Sequence, residues 1–385
     1  MINLWQEIKK KLTRIQDLAS LGLSTIIAQV ILAIFWIYLA SFLGDVKYGE
    51  VTYFISIANI ASVIAFLGAG NVILVHTAKK ETRLQGPIIL VAVISGLITS
   101  FVLFLILQKI EISIFVIGFV LFGLATNELL GIKYYKKYAK YLISQRILNV
   151  VLSLGFYFLI GIDGIILGFA LSFFPYSIRL VPILKKSKFE FSLLKPKIGF
   201  MSNSYILDMT RTFSFYIDKL MIFPLFGFAV LGNYQLGIQF LTILSILPNI
   251  VFQYILPHDA GGQSTFKLKI ITILVSFVLA IVSILLIPYA LPIIFPDFTQ
   301  SIMIIQILSI VIIPRTISMM YMSKFLASEK SKIIVFGSAI YIITQILGIM
   351  ILGKIYSIEG VAWALVIAAV FEAVFLIIIS KLGYK

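Results

Sequence analysis

Four ionisable residues stand inside a stretch apolar enough to cross a membrane: Asp208, Arg211, Asp218 and Lys219, within SNSYILDMTRTFSFYIDKLMIF. On a helix turning by 100° per residue, Ser204, Asp208, Arg211, Phe215, Asp218 and Lys219 share one arc of about 100°. A charge at bilayer depth costs about 2.5–3.5 kcal/mol on insertion scales, so such groups normally face protein or a water-filled cavity. Asp208 and Arg211 are three residues apart and can meet on one face. Asp218 and Lys219 are adjacent and cannot pair so simply, which leaves Lys219 free to snorkel outward. The stripe is expected to border a polar cavity through which a charged group moves.

A second stripe is uncharged. Gln235, Gln239, Thr242, Ser245, Asn249 and Gln253 fall within about 120° of helix circumference. Amides and hydroxyls in that arrangement suit hydrogen bonding to sugars, directly or through water. They also bridge packed membrane helices. Six on one face exceed what packing needs, so a cavity surface is expected. The weaker set Thr52, Ser56, Asn59 and Ser62 reads as interhelical bridging. Arg315 follows Pro314, whose missing N–H frees a backbone carbonyl, and it is a candidate second cation for the cavity. Arg146 and Arg179 are expected to anchor at the inner membrane face. Glu128 and Glu372 either carry a coupling proton or pair with an arginine.

The elements that must hold these groups follow from composition. Of 385 residues, 61% are hydrophobic and 12% charged, so the chain is a polytopic membrane protein rather than a soluble domain. There is no cysteine and there are only two histidines, so neither disulfides nor a Cys or His metal centre is expected. No P-loop, nucleophile elbow or dinucleotide fingerprint occurs, so neither an enzyme nor an ATP-driven pump is expected. No cofactor is expected.

Residues 1–17 place Leu4, Trp5, Ile8, Leu12 and Ile15 on one face, as in a helix lying on a membrane surface. That start leads into a full-length span rather than a cleavable signal. Twelve apolar segments follow, near 18–43, 51–74, 87–107, 112–132, 143–160, 164–184, 199–226, 229–256, 270–290, 301–323, 333–353 and 360–380. The N-terminus, even-numbered loops and C-terminus hold 23 Lys and Arg, against three in the odd-numbered loops. That asymmetry puts both termini in the cytoplasm of a plasma-membrane protein, and it turns the net charge of +15 into a topology signal rather than a nucleic-acid one.

The halves resemble each other. Phe42-Leu43-Gly44-x4-Gly49 recurs as Leu225-Phe226-Gly227-x4-Gly232, 183 residues later, and Ile162-Asp163-Gly164 recurs as Ile358-Glu359-Gly360 after 196. Six spans per copy make the repeats parallel, related by an axis along the membrane normal. The domains expected are an N-terminal lobe over 1–184, a basic linker over 185–198 and a C-terminal lobe over 199–385. The charges of span 7 have no counterparts in span 1, so the polar stripe belongs to one lobe. Pro224, Pro248, Pro288 and Pro314 place the helix bending in that lobe too.

The stretch from Tyr38 to Lys80 resembles the polysaccharide (Wzx-type) flippases of the multidrug/oligosaccharidyl-lipid/polysaccharide (MOP) superfamily, in Leu43-Gly44, Tyr48-Gly49, Gly68-Ala69-Gly70 and Ala78-Lys79. Ile217-Asp218-Lys219, Gly232-Asn233-Tyr234, Leu256-Pro257 and Glu359-Gly360-Val361-Ala362 are similar to that family's second half. Many relatives carry an arginine before the L-G where this chain has Ser41, so no role of that arginine carries over. The resemblance implies an all-α membrane protein with about twelve transmembrane helices in two six-helix lobes. It also implies a central cavity lined by spans 1, 2, 7 and 8, alternating access, and a polyprenyl-diphosphate-linked oligosaccharide as substrate. On that reading Asp208, Arg211, Asp218, Lys219, Gln235, Gln239, Thr242, Asn249 and Arg315 line the cavity, and a single chain in its lipids is the transport unit. Two rivals stand beside it: a cation-coupled multidrug exporter using Asp208 and Asp218, and a scaffold in which the stripes only join helices.

Overall fold

The computed structural model describes residues 2–298, 300–328 and 330–382, with side chains from Gly22 onward. The amphipathic reading of residues 1–17 concerns side chains outside that set. The helices are α1 (Ile2–Phe66), α2 (Ala69–Ala78), α3 (Gln85–Leu107), α4 (Ile110–Gly131), α5 (Tyr135–Ile160), α6 (Ile162–Leu171), α7 (Val181–Lys186), α8 (Ile198–Leu244), α9 (Ile246–Ala260), α10 (Phe266–Ile294), α11 (Ser301–Ala327) and α12 (Ser331–Lys381). The described residues contain no strand. This follows from the solvent: in lipid every backbone N–H and C=O must be satisfied within the segment, and a helix does so by itself.

Nine helical stretches among the described residues are long and apolar enough to cross a membrane, and three of them run well beyond a bilayer's width. The 45 residues of 22–66, for example, would reach about 68 Å as a straight helix, against a hydrocarbon core of about 30 Å. Each of the three reverses inside. Gly44 breaks the first at φ 73°, ψ 174°, and Gly227 breaks α8 at φ 84°, ψ 177°. Both lie in a backbone region open essentially to glycine alone. Ser357 breaks α12 at φ 53°. The reversals bring distant side chains together: Trp36 meets Tyr48 edge-on at 5.8 Å, and Tyr234 reaches Asp218. Counted by crossing, the described residues make twelve spans. The chain is a multi-pass membrane protein. The breaks fall at Gly44, Gly227 and Ser357, while Pro224, Pro288 and Pro314 stay inside helices.

The chain forms two compact units, residues 1–35 with 57–209 and residues 36–56 with 210–385. Their surfaces are inverted relative to a water-soluble protein. Phe101, Phe158, Leu159, Tyr289 and Ile293 point outward at 63–83% exposure, as lipid contact demands. Hydroxyls sit inside. In the first unit Ser100 and Ser113 each donate to the other's carbonyl at 2.9 Å, and Gln145 donates to Ser172. In the second, Ser276 meets Thr316 and Ser283 meets Ser309. With no hydrophobic drive between helices in lipid, such small polar bridges and close packing hold them together.

The second unit contains the closest backbone approach. A Cβ on Gly49 would lie 2.0 Å from the Phe228 carbonyl oxygen, and a Cβ on Gly232 would lie 2.0 Å from that of Asp45. Asn233 donates to Asp45 Oδ2 at 3.1 Å beside them, and Tyr53 packs on Phe223 with centroids 4.4 Å apart. Only glycine fits at 49 and 232. Gly227 differs, since a Cβ there meets nothing within 4 Å. Gly227→Ala is therefore expected to cost about 1–3 kcal/mol of backbone strain only. Gly232→Ala should lower the thermal unfolding midpoint of the purified protein further, because two backbones must separate. Equal midpoints for the two variants would contradict this packing.

Candidate functional site

The two turns of α8 before its glycine break place Asp218 and Lys219 in the interior, each 3% exposed. The lysine stem curls back one turn, as helical side chains lean toward the N-terminus. Its ammonium donates to the Phe215 carbonyl at 2.7 Å and to Asp218 Oδ1 at 3.1 Å. The rings of Phe215 and Tyr216 lie 5.4 and 5.6 Å from the same nitrogen. Tyr234, returned by the reversal at Gly227, donates to Asp218 Oδ2 at 2.6 Å. Adjacent in sequence, Asp218 and Lys219 were expected not to pair; they do, because four methylenes let the ammonium swing back over its own helix. Lys219 does not snorkel outward.

The free charge of the α8 stripe in this unit is Arg211, which is exposed and takes no ion-pair or hydrogen-bond partner among the described residues. Asp208 and Ser204 belong to the first unit, where Ser204 is buried. Arg315, half-buried on α11, also has no hydrogen bond or ion pair among the described residues. Its charge is felt at Lys219, Tyr234, Tyr341 and Glu372, so α8, α11 and α12 contribute to one electrostatic cluster. Glu372, 7% exposed, has no salt-bridge partner there. Tyr341 carries no sequence signal for membership. Tyr234 lies within the Gly232-Asn233-Tyr234 motif, yet nothing local points it at Asp218.

The amide stripe divides. Gln235 and Gln239 are buried, Gln235 with an unpartnered Oε1 and Gln239 beside the Tyr48 hydroxyl. Thr242 and Asn249 are exposed and donate to carbonyls one turn back, Ile238 at 2.8 Å and Ser245 at 2.8 Å. Ser245 does the same to Leu241 at 2.7 Å, at the point where α8 ends and α9 begins. Back-bonding of this kind bends helices, so part of the stripe works on its own backbone. Ser56 and Ser62 in α1 likewise donate to Thr52 and Ala58 rather than to another helix, contrary to their expected bridging role.

One expectation in the first unit is corrected. Arg179 is not a simple interfacial anchor: its Nε and Nη2 donate to the two oxygens of buried Glu128 at 2.9 and 3.0 Å. A bidentate fork of this kind is the strongest neutralisation available to an intramembrane carboxylate. Among the described residues no group of three or more His, Cys, Asp or Glu is arranged to hold a metal ion.

No family model matches the sequence, and no curated protein matches it. Solved structures do. The lipid II flippase MurJ in an inward closed conformation superposes with TM-score 0.77 at 13% identity, covering 94% of this chain and 87% of that one. An inward-facing multidrug resistance MATE transporter of the MOP superfamily gives 0.67 at 15%, covering 95% and 97%. The MATE multidrug transporter DinF-BH gives 0.64 at 17%, covering 96% and 95%. The chain shares the fold of these proteins.

Within this fold the Asp218–Lys219–Tyr234 network is expected to destabilise the protein when only one member is removed. Asp218→Ala leaves an ammonium 3% exposed with a backbone carbonyl as its remaining partner. Removing one member of a buried pair costs about 3–5 kcal/mol, whereas replacing both by apolar residues is often near neutral. Thermal unfolding in detergent should show a large drop for Asp218→Ala and substantial recovery in Asp218→Leu with Lys219→Met. An unchanged midpoint for Asp218→Ala would remove the network from the account.

Proposed function

We propose that this protein is a flippase that moves a polyprenyl-diphosphate-linked oligosaccharide from the cytoplasmic to the outer leaflet by alternating access. The observation that carries the reading is the state of the charges in the second unit. Asp218 is occupied by Lys219 and Tyr234, while Arg211 and Arg315 have no carboxylate bound to them. A polar surface with unpaired arginines suits an anionic headgroup. Guanidinium groups grip phosphate oxygens in pairs, and they do so more strongly where water is scarce. The tail of a lipid-linked sugar stays in the bilayer, so only the diphosphate and sugars need a polar route. Gln235 and Gln239 supply amides for the sugars, and Thr242 and Asn249 extend that surface. The likeness in fold to a lipid II flippase supports the substrate class. A single chain in the plasma membrane, with both termini in the cytoplasm, is the transport unit on this reading.

A cation-coupled multidrug exporter is the second reading. Glu372 favours it, as a buried carboxylate without a salt-bridge partner among the described residues, and so does the likeness to MATE transporters. Substitutions separate the two. Arg211→Ala with Arg315→Ala should reduce surface glycan at least tenfold at unchanged membrane abundance, while Glu372→Gln leaves it near normal. The Lys versions of both arginines should restore part of the activity, since charge returns without the fork. Normal glycan in the double Ala variant, with drug efflux lost in Glu372→Gln, would reverse the assignment.

A further inference from the structure

The first unit contains a cavity of about 490 Å³ whose wall includes Arg83, Gln85, Arg179, Lys186, Ser187 and Lys188. It lies on the face that carries the excess of Lys and Arg, far along the chain from the charges of α8. Four of the lining residues are cationic and none is acidic. Arg179 is held in place by the Glu128 fork, which uses Nε and Nη2 and leaves Nη1 without a partner among the described residues. Arg83, Lys186 and Lys188 have no ion pair at all among the described residues. The nearby acid, Glu81, is committed elsewhere: its Oε2 lies 2.7 Å from His76 Nδ1 and 3.8 Å from Lys197 Nζ. The hydrogen bond from His76 holds the Glu81 carboxyl below its usual range, so it stays an anion on those partners. The helix α3 begins at Gln85 in the lining, and its N-terminal dipole end adds positive potential.

Like charges gathered around a space of this size repel one another, and nothing in the wall answers them. The wall is also polar in the right way. Ser187 donates its proton to the Ile183 carbonyl at 2.7 Å, and Thr82, also in the lining, makes no side-chain hydrogen bond among the described residues. A Cβ on Gly86 would lie 2.4 Å from that of Ser187, so the floor is tightly built rather than a gap between loops. Basic pockets beside membrane helices on this face are suited to phosphorylated headgroups.

We propose that this cavity is a binding site for a phosphate-bearing anion, either the headgroup of an anionic lipid in the adjoining leaflet or a soluble diphosphate. Arg179 is the fixed contact, and Arg83, Lys186 and Lys188 close on the ligand. The site is independent of the transport reading, since it shares no residue with it.

The full-length protein tests this with two probes, phosphatidylglycerol against phosphatidylcholine in mixed micelles, and inorganic pyrophosphate. Arg83→Gln with Lys186→Gln and Lys188→Gln removes the three exposed cations while sparing the Arg179–Glu128 pair. Lys133→Gln with Lys136→Gln and Lys140→Gln removes the same charge from exposed positions outside the cavity. Native mass spectrometry for the lipids and thermal stabilisation for pyrophosphate read binding. At least one probe should bind the wild type and the second variant alike, and the first variant at least tenfold more weakly. Preference for phosphatidylglycerol alone assigns the site to a lipid headgroup, and a pyrophosphate response assigns it to a soluble anion. Equal binding by the wild type and the first variant, or an equal loss in both variants, overturns the proposal.

Discussion

Two glycines of a duplicated motif touch each other's partner backbone. Gly49 lies against the Phe228 carbonyl and Gly232 against that of Asp45. In the repeat, residues 45 and 228 correspond, as do 49 and 232, so the two contacts are one contact made twice. That symmetry could arise only if both hairpins turn sharply, and Gly44 and Gly227, again repeat mates, provide the turns. Side chains are then stationed by the result: Tyr48 and Tyr234 become fully buried, and Asn233 bridges Asp45 and Ser301. A methyl group at either close-packed glycine would separate the backbones and, with them, the polar groups the hairpins carry.

Neutralisation of intramembrane acids follows one pattern in both units. Glu128 in α4 is neutralised by Arg179, 51 residues later, and Asp218 by Lys219 and Tyr234. In the second half the order of charges is reversed, with Arg315 on α11 and Glu372 on α12. There they interact through the field and make no salt bridge. A closed pair is neutral overall, and Arg179 keeps an N–H, on Nη1, for a ligand, whereas separated charges at depth are costly and hold potential for binding. The contrast between the closed pairs and the open arginines is what gives the second unit a chemical direction.

Much of the architecture was legible in the sequence. Span count follows from apolar run length, and Gly44 and Gly227 stand out in the sequence only as matching places of a repeat; that they turn the chain shows in their backbone, at φ 73° and 84°. Placement of individual charges was less so. A 100° wheel treats Asp218 and Lys219 as diverging, yet it ignores how far a lysine stem reaches and cannot see Tyr234 arriving from beyond the turn. Arg179 looked interfacial from its position alone, because its partner Glu128 is distant in sequence. The amide stripe was placed on one helix, whereas the chain breaks at Ser245, so Gln235, Gln239 and Thr242 lie on α8 and Asn249 and Gln253 on α9.

If the flippase account holds, the paired hairpin tips, which lie in loops poor in Lys and Arg and so toward the outer face, must part during each cycle. Because the chain has no cysteine, a pair placed by Asp45→Cys and Asn233→Cys would be the sole thiols. Glycan export in cells carrying this variant should stop on oxidation and return on reduction. Undiminished export by fully cross-linked protein would show that the tips never separate, and alternating access through them would be contradicted.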